Sequence, residues 1–366
     1  MIPNRTKRAT TPRRPLVRVA SLVALLALAA VLTAHRGSSA AASVGKNRSF
    51  TIALLSQGPT NGWATQFDAI ARATVRAHSA EIRQLLYFDS HANADKQIND
   101  MTDAIAQHPD AIVLTPIGKA ALAGPVNRAE ARGIPVILCA SGVTSNTYHA
   151  LVFHDLMRAG EQDATWLAQK LHGRGNVAIL DGIAGNDTSE TLGRAVRAVL
   201  KHYPGIKIVA QAYTSFSVSQ AKQVTDTFIA SGKKIDGLWG SGGEAVTGAM
   251  EAYADAGKPM PLMAGTTAEN GALRLAVQHH AQVAGFQFPA AISNACLTVA
   301  LRVLHGATVH HQFIDISSVL PRDLTRDFFT VDLGHFYRPR YSDDYIFGTD
   351  RFLSKSELAR LNLIKH

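Results

Sequence analysis

The sequence predicts an α/β fold in which two similar lobes each contain a parallel sheet. Short apolar runs that suit buried strands alternate with segments of helical periodicity, and the connections between them are short. The alternation occurs in two consecutive series, which meet near His154-Asp155. Helices of such a fold cover both faces of each sheet, and small ligands bind at the carboxyl ends of the strands. The residues that directly follow each strand are therefore the candidates for a binding site.

The first series opens with a strand at 50–55 and continues with strands at 82–88, 111–114, 135–138 and 147–153. Three helices lie between the first four strands, and apolar residues at helical spacing form one stripe on each. The stripes comprise Phe67, Ile70 and Val75; Ile98, Met101 and Ile105; and Leu122, Val126 and Ala129. The third helix is predicted over 119–132, because Gly133 stops it and Pro135 begins the next strand.

The second series repeats this order with helices at 157–171, 188–202, 218–231, 245–256 and 271–279. Its strands are predicted at 177–180, 206–210, 237–240, 262–265 and 282–286. A further helix, 290–304, carries Ile292, Cys296, Val299 and Val303 on its apolar stripe and is predicted to return to the first lobe. No long linker separates the two series, so the lobes are expected to meet at a hinge.

Residues 1–42 have the layout of a secretory signal peptide. Basic residues precede the apolar run 22–34, and a small-residue stretch ends at Ala42, where cleavage is predicted. A membrane anchor is the alternative, but the apolar run is shorter than the roughly 20 residues that span a bilayer. Export with cleavage therefore predicts a periplasmic protein. Arg13-Arg14 leaves the twin-arginine route open beside the general secretory route.

The positive charge of the chain lies largely in this leader. The chain has 37 Lys and Arg against 28 Asp and Glu, a net charge of +9. Seven of the basic residues and none of the acidic ones lie in 1–42, which leaves 30 against 28 in the mature protein. A nucleic-acid partner therefore loses its main support.

Cys139 and Cys296 are the two cysteines of the chain. Two cysteines cannot form a disulfide framework, so the favoured interpretation is that both are small buried hydrophobic residues. A single disulfide between them stays open as the less favoured alternative.

Several short motifs, in their order and spacing, resemble those of the periplasmic sugar-binding proteins of ABC transporters, in the ribose- and galactofuranose-binding group. They are Asn61-Gly-Trp63, Asp95-Lys-Gln97, Asp110-Ala-Ile-Val-Leu-Thr-Pro116, Gly133-Ile-Pro-Val136, Gly182-Ile-Ala-Gly185, Tyr203-Pro-Gly-Ile-Lys207 and Gly285-Phe-Gln-Phe-Pro289. The segments Tyr337-Arg-Pro339 and Asp343-Asp-Tyr345 resemble the tail of the galactofuranose branch.

The resemblance implies two Rossmann-like lobes, joined by a three-segment hinge, that close on a ligand. The crossovers would fall near His154-Asp155, Phe286-Gln287 and Phe313-Ile314. The resulting division is 1–42 signal peptide, 43–154 with 288–313 N-terminal lobe, 155–286 C-terminal lobe, and 314–366 third crossover and C-terminal tail. Differential ligand contacts would drive closure, so no catalytic group, metal or cofactor is expected.

Sugar sites of this family combine an aromatic face with side chains that bracket hydroxyl groups. The expected ligand-binding residues here are Asn61, Trp63, Asp89, Ser141, Asn186, Glu190, Gly242, Thr266 and Gln287. For the first three, structural alternatives stand beside the ligand role. Asn61 could cap a helix, Trp63 could pack in the core, and Asp89 could cap the next turn.

The charged groups of the family pattern are mostly missing. Ala140 and Ser141 stand where the family has an acidic residue and an arginine, and Thr266 replaces an aspartate. Gln287 alone keeps the family identity. The departures predict an uncharged ligand that is bulkier than a pentose: a sugar, a polyol or a larger glycoside, with a neutral non-sugar as an open alternative. Asp187, Glu244 and Asn270 are further polar candidates. For these three, and for Asn186 and Glu190, a solvated loop or a helix cap is the favoured interpretation.

The Gly240-Ser-Gly-Gly243 loop lacks the residues that complete a phosphate loop or a hydrolase elbow. The pairs His279-His280 and His310-His311 lack the spacing of metal ligands. The leading function is thus a monomeric solute receptor for an ABC permease with its ATPase. The alternative is a receptor that feeds a chemoreceptor or sensor kinase, and a two-lobed repressor is disfavoured because a leader replaces its DNA-binding module.

Overall fold

The computed structural model describes residues 48–309, 312–325, 329–330 and 336–365. The predicted signal peptide and the His310-His311 pair lie outside these residues. Within them, two six-stranded sheets form the centres of two lobes. The α/β class with two parallel-sheet lobes is confirmed.

The strands follow the chain in two series, as predicted. They are β1 (Phe50–Ser56), β2 (Ile82–Asp89), β3 (Ala111–Leu114), β4 (Val136–Cys139), β5 (Ala150–Phe153), β6 (Arg174–Asp181), β7 (Gly205–Tyr213), β8 (Gly237–Gly240), β9 (Leu262–Thr266), β10 (Val283–Gly285), β11 (Gln312–Asp315) and β12 (Phe329–Thr330). The first sheet has the order β11-β5-β4-β3-β1-β2, and the second has the order β12-β10-β9-β8-β6-β7. All neighbours pair in parallel except β10 and β12, which are antiparallel.

The helices lie between the strands. They are α1 (Gly62–Ala77), α2 (Ala94–Ala106), α3 (Ala123–Glu130), α4 (Leu156–Lys170), α5 (Asp187–Leu200), α6 (Val218–Ala230), α7 (Gly243–Asp255), α8 (Asn270–Gln278), α9 (Ile292–Leu304) and α10 (Lys355–Arg360). The third helix is shorter than the sequence predicts, because residues 119–122 form turns before α3 begins. The inner strands of both sheets are buried on both faces, which explains why they appear in the sequence as continuous apolar runs.

Helix α9 returns to the first lobe, as predicted, and is covalently attached to it. Cys296 on α9 forms a disulfide with Cys139 at the end of β4, and the two Cα atoms are 5.9 Å apart. Both side chains are fully buried. The favoured interpretation of two unlinked cysteines is therefore wrong: parallel packing of α9 across β4 brings two distant residues into bonding distance, which local sequence cannot show.

The segment near Phe313-Ile314 does more than cross between lobes. It forms strand β11, which pairs in parallel with β5 and adds a sixth strand to the first sheet. The chain after it contacts both lobes. In the first lobe, the buried Gln66 side chain bonds to Ile346 N and to the Thr349 hydroxyl. In the second, Asn270 Nδ2 donates to the main-chain oxygens of Arg338, Tyr341 and Ser342.

Candidate ligand-binding cleft

A cavity of about 580 Å³, partly open to solvent, lies between the carboxyl ends of the two sheets. The lining residues follow strands of both lobes, at the positions that parallel-sheet topology singles out. They are Gln57, Asn61, Trp63, Thr115, Pro116, Ala140 and Ser141 from the first lobe; Asn186, Thr188, Leu192, Phe216, Ser241, Gly242, Glu244 and Thr267 from the second; and Phe286 and Phe288 from the second crossover.

Aromatic rings form one wall of the cavity. Trp63 stacks on Phe288, with ring centres 5.6 Å apart and planes inclined by 9°, and its Nε1 donates to the Phe288 main-chain oxygen over 2.9 Å. On its other side it stacks on Phe67, within the core. Trp63 therefore packs in the core, as its structural alternative predicts, and also lines the cavity; its contact with a ligand stays a prediction. Phe216 and Phe286 extend the apolar lining.

Two buried hydroxyl groups, on residues that line the cavity from opposite lobes, have no hydrogen-bond partner among the described residues. They are Thr115 Oγ1, which follows β3, and Ser241 Oγ, which follows β8. Their residues are only 6% and 3% exposed. An unsatisfied buried hydroxyl costs about 1–3 kcal/mol. A ligand with hydroxyl groups would recover this cost.

Gln97 of α2 fixes the loop that carries Thr115 through two hydrogen bonds. The Gln97 amide donates to Thr115 O and accepts from Ile117 N, both over 2.9 Å. Gln97 is fully buried. This side chain accounts for the glutamine in the Asp95-Lys-Gln97 motif, since it fixes the main chain on which the cavity hydroxyl stands.

Hydrogen bonds join the two lobes around the cavity, so the structure shows a closed cleft. Asn186 Nδ2 in the second lobe donates to Pro116 O over 3.1 Å and to Ile117 O over 3.2 Å in the first. Asn61 Nδ2 in the first lobe donates to Phe216 O in the second over 3.2 Å. Each of these asparagines also caps its own helix, because Asn61 Oδ1 accepts from Ala64 N and Asn186 Oδ1 from Ser189 N.

Five of the expected site residues line the cavity: Asn61, Trp63, Ser141, Asn186 and Gly242. Their positions arise because each follows a strand or begins a helix at the cleft. The side-chain amides of Asn61 and Asn186 are engaged by protein groups, so these residues shape the closed cleft as well as line it.

The other four expected residues do not line it. Asp89 accepts from His91 N over 2.8 Å, as its turn-capping alternative predicts. Glu190 forms an ion pair with Lys119 of the opposite lobe. Thr266 is fully buried behind the cavity wall, and Gln287 is a buried residue between the lining residues Phe286 and Phe288.

Sequence reasoning missed several lining residues. Phe286 and Phe288 belong to the Gly285-Phe-Gln-Phe-Pro289 motif, in which the polar Gln287 between them was the expected site residue. Thr115 directly follows a predicted strand, so its position in the sequence was sufficient to make it a candidate. Phe216 enters the cavity from a loop whose course depends on packing of the second lobe. Glu244 was a polar candidate for which a solvated loop or helix cap was favoured, but it is buried in the first turn of α7 and lines the cavity.

Glu244 is the ionisable side chain among the lining residues. It is buried, and burial raises its pKa to about 7. Among the described residues, no group of three or more His, Cys, Asp or Glu side chains is arranged to hold a metal ion. The same part of the chain contains no helix with the length and hydropathy of a membrane span.

The model of the periplasmic binding protein domain family matches residues 52–308. The chain is 27% identical over 176 residues to the xylitol-binding protein of Mycolicibacterium smegmatis, a match that spans 48% of this chain and only 50% of that relative. It is 23% identical over 265 residues to the ribose import binding protein of Bacillus subtilis, spanning 72% of this chain and 85% of the relative.

Solved structures share the fold. The periplasmic binding component of the arabinose ABC transporter from Shewanella sp. ANA-3, solved with bound L-arabinofuranose, superposes with a TM-score of 0.71 at 19% identity. The match covers 86% of this chain and 99% of that one. Two lobes with parallel sheets are thus common to both chains.

Proposed function

Because the chain belongs to the periplasmic binding protein family, we propose that it is an exported solute-binding protein that captures an uncharged sugar or polyol between its lobes. It then delivers this ligand to an ABC permease with its ATPase. The names of the relatives support the ligand class, since they are described as binding or importing xylitol and ribose. The proposal includes cleavage after Ala42, a periplasmic location, a monomeric receptor and no enzymatic turnover.

The observation that carries this proposal is the pair of unpartnered hydroxyls, Thr115 and Ser241, which belong to opposite lobes and whose residues line a cavity that also has aromatic lining residues. Sugars and polyols present hydroxyl groups that both donate and accept, and they present C–H surfaces that pack on aromatic rings. A ligand that bonds to both hydroxyls at once contacts both lobes. It therefore favours the closed over the open state and couples binding to closure.

The lining also supports a neutral ligand. Apart from Glu244, the polar lining groups are amides and hydroxyls, which bind hydroxyl groups without requiring charge on the ligand. Small residues such as Ala140, Ser141 and Gly242 stand where larger side chains would narrow the cavity. We infer that the ligand is bulkier than a pentose, and myo-inositol and hexoses are the simplest probes of that size.

Four expected ligand contacts remain predictions, and mutation of each residue tests them: Asp89, Glu190, Thr266 and Gln287. The closed cleft places other groups on the cavity surface, so we rank these four below Thr115, Ser241 and Trp63. The sensory alternative remains a prediction, and a neighbouring gene for a permease or for a sensor kinase separates the two roles.

Calorimetric titration of the mature protein tests the proposed function. The panel contains ribose, arabinose, xylitol, myo-inositol and a hexose, and we expect saturable binding of at least one member without chemical change of the ligand. Tight binding of ribose with no response to larger ligands contradicts the inferred size. Absence of binding to the whole panel contradicts the ligand class.

A further inference from the structure

The glycine-rich loop of residues 240–243 accommodates two carboxyl side chains. A Cβ atom on Gly243 would lie 2.2 Å from Glu269 Oε2, and one on Gly242 would lie 2.9 Å from Glu244 Oε2. Both distances are too short for any side chain at these positions. A side chain at either position would therefore displace the carboxyl group that now lies against the backbone. Carboxyl groups beside the loop would repel a phosphate. The glycines of this loop therefore do not indicate a phosphate-binding site.

Glu244 lines the ligand cavity, and Glu269 lies behind it. Glu244 stands in the first turn of α7, and Glu269 is the residue before α8, so both lie at helix amino termini, which favour negative charge. The residues are only 6% and 5% exposed. Two adjacent buried carboxyl groups cannot both ionise at low cost, so one proton is shared between them.

The proton belongs mainly to Glu269. Burial raises the pKa of Glu269 well above its ordinary value, and the neighbouring negative charge of Glu244 raises it further. Burial raises the pKa of Glu244 to about 7, against the opposing effect of hydrogen bonds from its own main chain and from Glu269. Around neutral pH, Glu269 is thus the group that holds the proton, and Glu244 is the partly ionised group that lines the cavity.

The charged groups that surround the pair do not neutralise it. Among the described residues, Glu244 and Glu269 form no ion pair. The charges nearby lie on α6, α7, α8 and the C-terminal tail, and the two cations among them already pair with other carboxylates. These groups are Lys222, Glu251, Arg274, Asp343 and Asp344.

We propose that Glu244 is a specificity determinant of the cavity, whose carboxylate accepts a hydrogen bond from a ligand hydroxyl, and that Glu269 is the positioning group that holds the shared proton. This inference rests on the proposed function, because it assigns a contact to the same ligand. Ser241 lies three residues before Glu244 and lines the same wall. The two side chains together offer a hydroxyl and a carboxylate to adjacent ligand hydroxyls, an arrangement that a vicinal diol fits.

The pair makes binding dependent on pH. Protonation of Glu244 removes the charged acceptor, and hydrogen bonds to a charged group are stronger than those to a neutral one. Affinity is therefore expected to be high above the Glu244 pKa of about 7 and to fall below it.

Calorimetry with xylitol, ribose and myo-inositol, at about pH 8 and about pH 5.5, tests this inference. For the probe that binds most tightly, we expect wild-type affinity to fall roughly tenfold between the two pH values, because Glu244 is mostly ionised at the higher pH and mostly protonated at the lower, where the charge-assisted hydrogen bond is lost. Glu244→Gln should bind roughly tenfold more weakly at the higher pH and lose the pH dependence. Glu269→Gln should retain the pH dependence, since Glu244 still titrates.

Glu251→Gln is the matched control, because it removes a carboxylate from the same helix that does not line the cavity. It should keep the wild-type affinity and pH profile. Wild-type behaviour of Glu244→Gln overturns the proposal. Loss of the pH dependence in Glu269→Gln but not in Glu244→Gln overturns the assigned roles. Circular dichroism confirms that each variant folds.

A measurement without ligand separates the pair from the proposed function. The infrared spectra of the free wild type and of Glu269→Gln at neutral pH should differ by a carbonyl band of a buried neutral carboxylic acid that Glu269 contributes, whereas other buried acids such as Asp163 contribute equally to both spectra. Absence of this difference overturns the shared proton, whatever the binding data show. If the band is present but none of the three probes binds, the proposed ligand class is contradicted, and the assigned contact of Glu244 is overturned with it.

Discussion

Thr188 in the second lobe donates its hydroxyl hydrogen to the main-chain oxygen of Ala140 in the first lobe, over 2.9 Å. Ala140 adopts a left-handed conformation with φ of 64°, which is uncommon for a residue with a Cβ atom. This backbone turns the Ala140–Ser141 segment so that its main chain contacts the other lobe. The segment that lacks the charged groups of the family thus serves as a lobe-to-lobe contact in the closed cleft.

Asn186→Ala should shift the protein toward the open state. The substitution removes the hydrogen bonds to Pro116 O and Ile117 O and also the cap of α5. We expect ligand affinity to fall roughly tenfold, the effect of about 1.4 kcal/mol. Small-angle scattering should show a larger radius of gyration for the free variant.

Asn93→Ala is the matched control for this substitution. Asn93 caps α2 through a hydrogen bond from Lys96 N and lies within the first lobe. Both variants should lose about 0.5–2 kcal/mol of stability through the lost cap. Equal loss of affinity in the two variants would show that Asn186 acts through helix stability alone.

Thr115→Val and Ser241→Ala should each weaken ligand binding about fivefold to tenfold, since each removes one hydrogen bond worth about 1 kcal/mol. Neither should destabilise the free protein, because the hydroxyls have no partner in it among the described residues. Calorimetry and thermal unfolding measure the two effects. Ser342→Ala, which removes an unpartnered buried hydroxyl outside the cavity, is the control and should leave affinity unchanged. Unchanged affinity in both cavity variants would mean that the ligand lies elsewhere.

Replacing Cys139 and Cys296 by serine should lower the free energy of unfolding. The disulfide closes a loop across 157 residues, and its loss typically costs about 2–5 kcal/mol. Urea unfolding with and without reductant measures the effect, and a thiol assay on the denatured, unreduced protein checks the bond itself. Two free thiols in that assay would contradict the disulfide.

Asp163→Asn should change how stability depends on pH. Asp163 is fully buried, accepts from Trp239 Nε1 over 3.2 Å, and burial raises its pKa well above the ordinary value of 3.8. The folded protein therefore keeps a proton that the unfolded chain releases above about pH 4, and the wild type loses stability as pH rises, by up to about 1.4 kcal/mol per unit.

The asparagine variant should lack this loss and be more stable than the wild type at neutral pH. Urea unfolding at several pH values between about 4 and 7 tests this. Asp226→Asn, at an exposed carboxylate on α6, is the control and should keep the wild-type profile. Parallel profiles for the wild type and Asp163→Asn would show that Asp163 is ionised in the folded protein.

Most of the fold could be predicted from the sequence, because it depends on local patterns. Buried parallel strands give apolar runs such as 111–114, and capped helices begin at residues such as Asn61 and Asn186. Strand β11 was not predicted, because its partner β5 lies far away in sequence. The disulfide was not favoured for the same reason, since it depends on the packing of α9 against β4.

The candidate site was predictable only in part. Residues that follow strands, such as Ser141 and Gly242, reach the cavity because topology alone places them there. Asp89 is the last residue of β2, and its side chain accepts a main-chain hydrogen bond from the loop that follows. Phe216 and Glu244 reach the cavity through tertiary packing, and Glu244 became conspicuous only when its burial beside Glu269 was known.

A crystal structure of the mature protein with the tightest-binding member of the ligand panel tests the central claim most directly. The account predicts one ligand molecule in the closed cleft, packed on the Trp63 side, with hydroxyl groups within hydrogen-bond distance of Thr115 Oγ1 and Ser241 Oγ. A ligand bound outside this cavity, or in it without contact to either hydroxyl, would contradict the account.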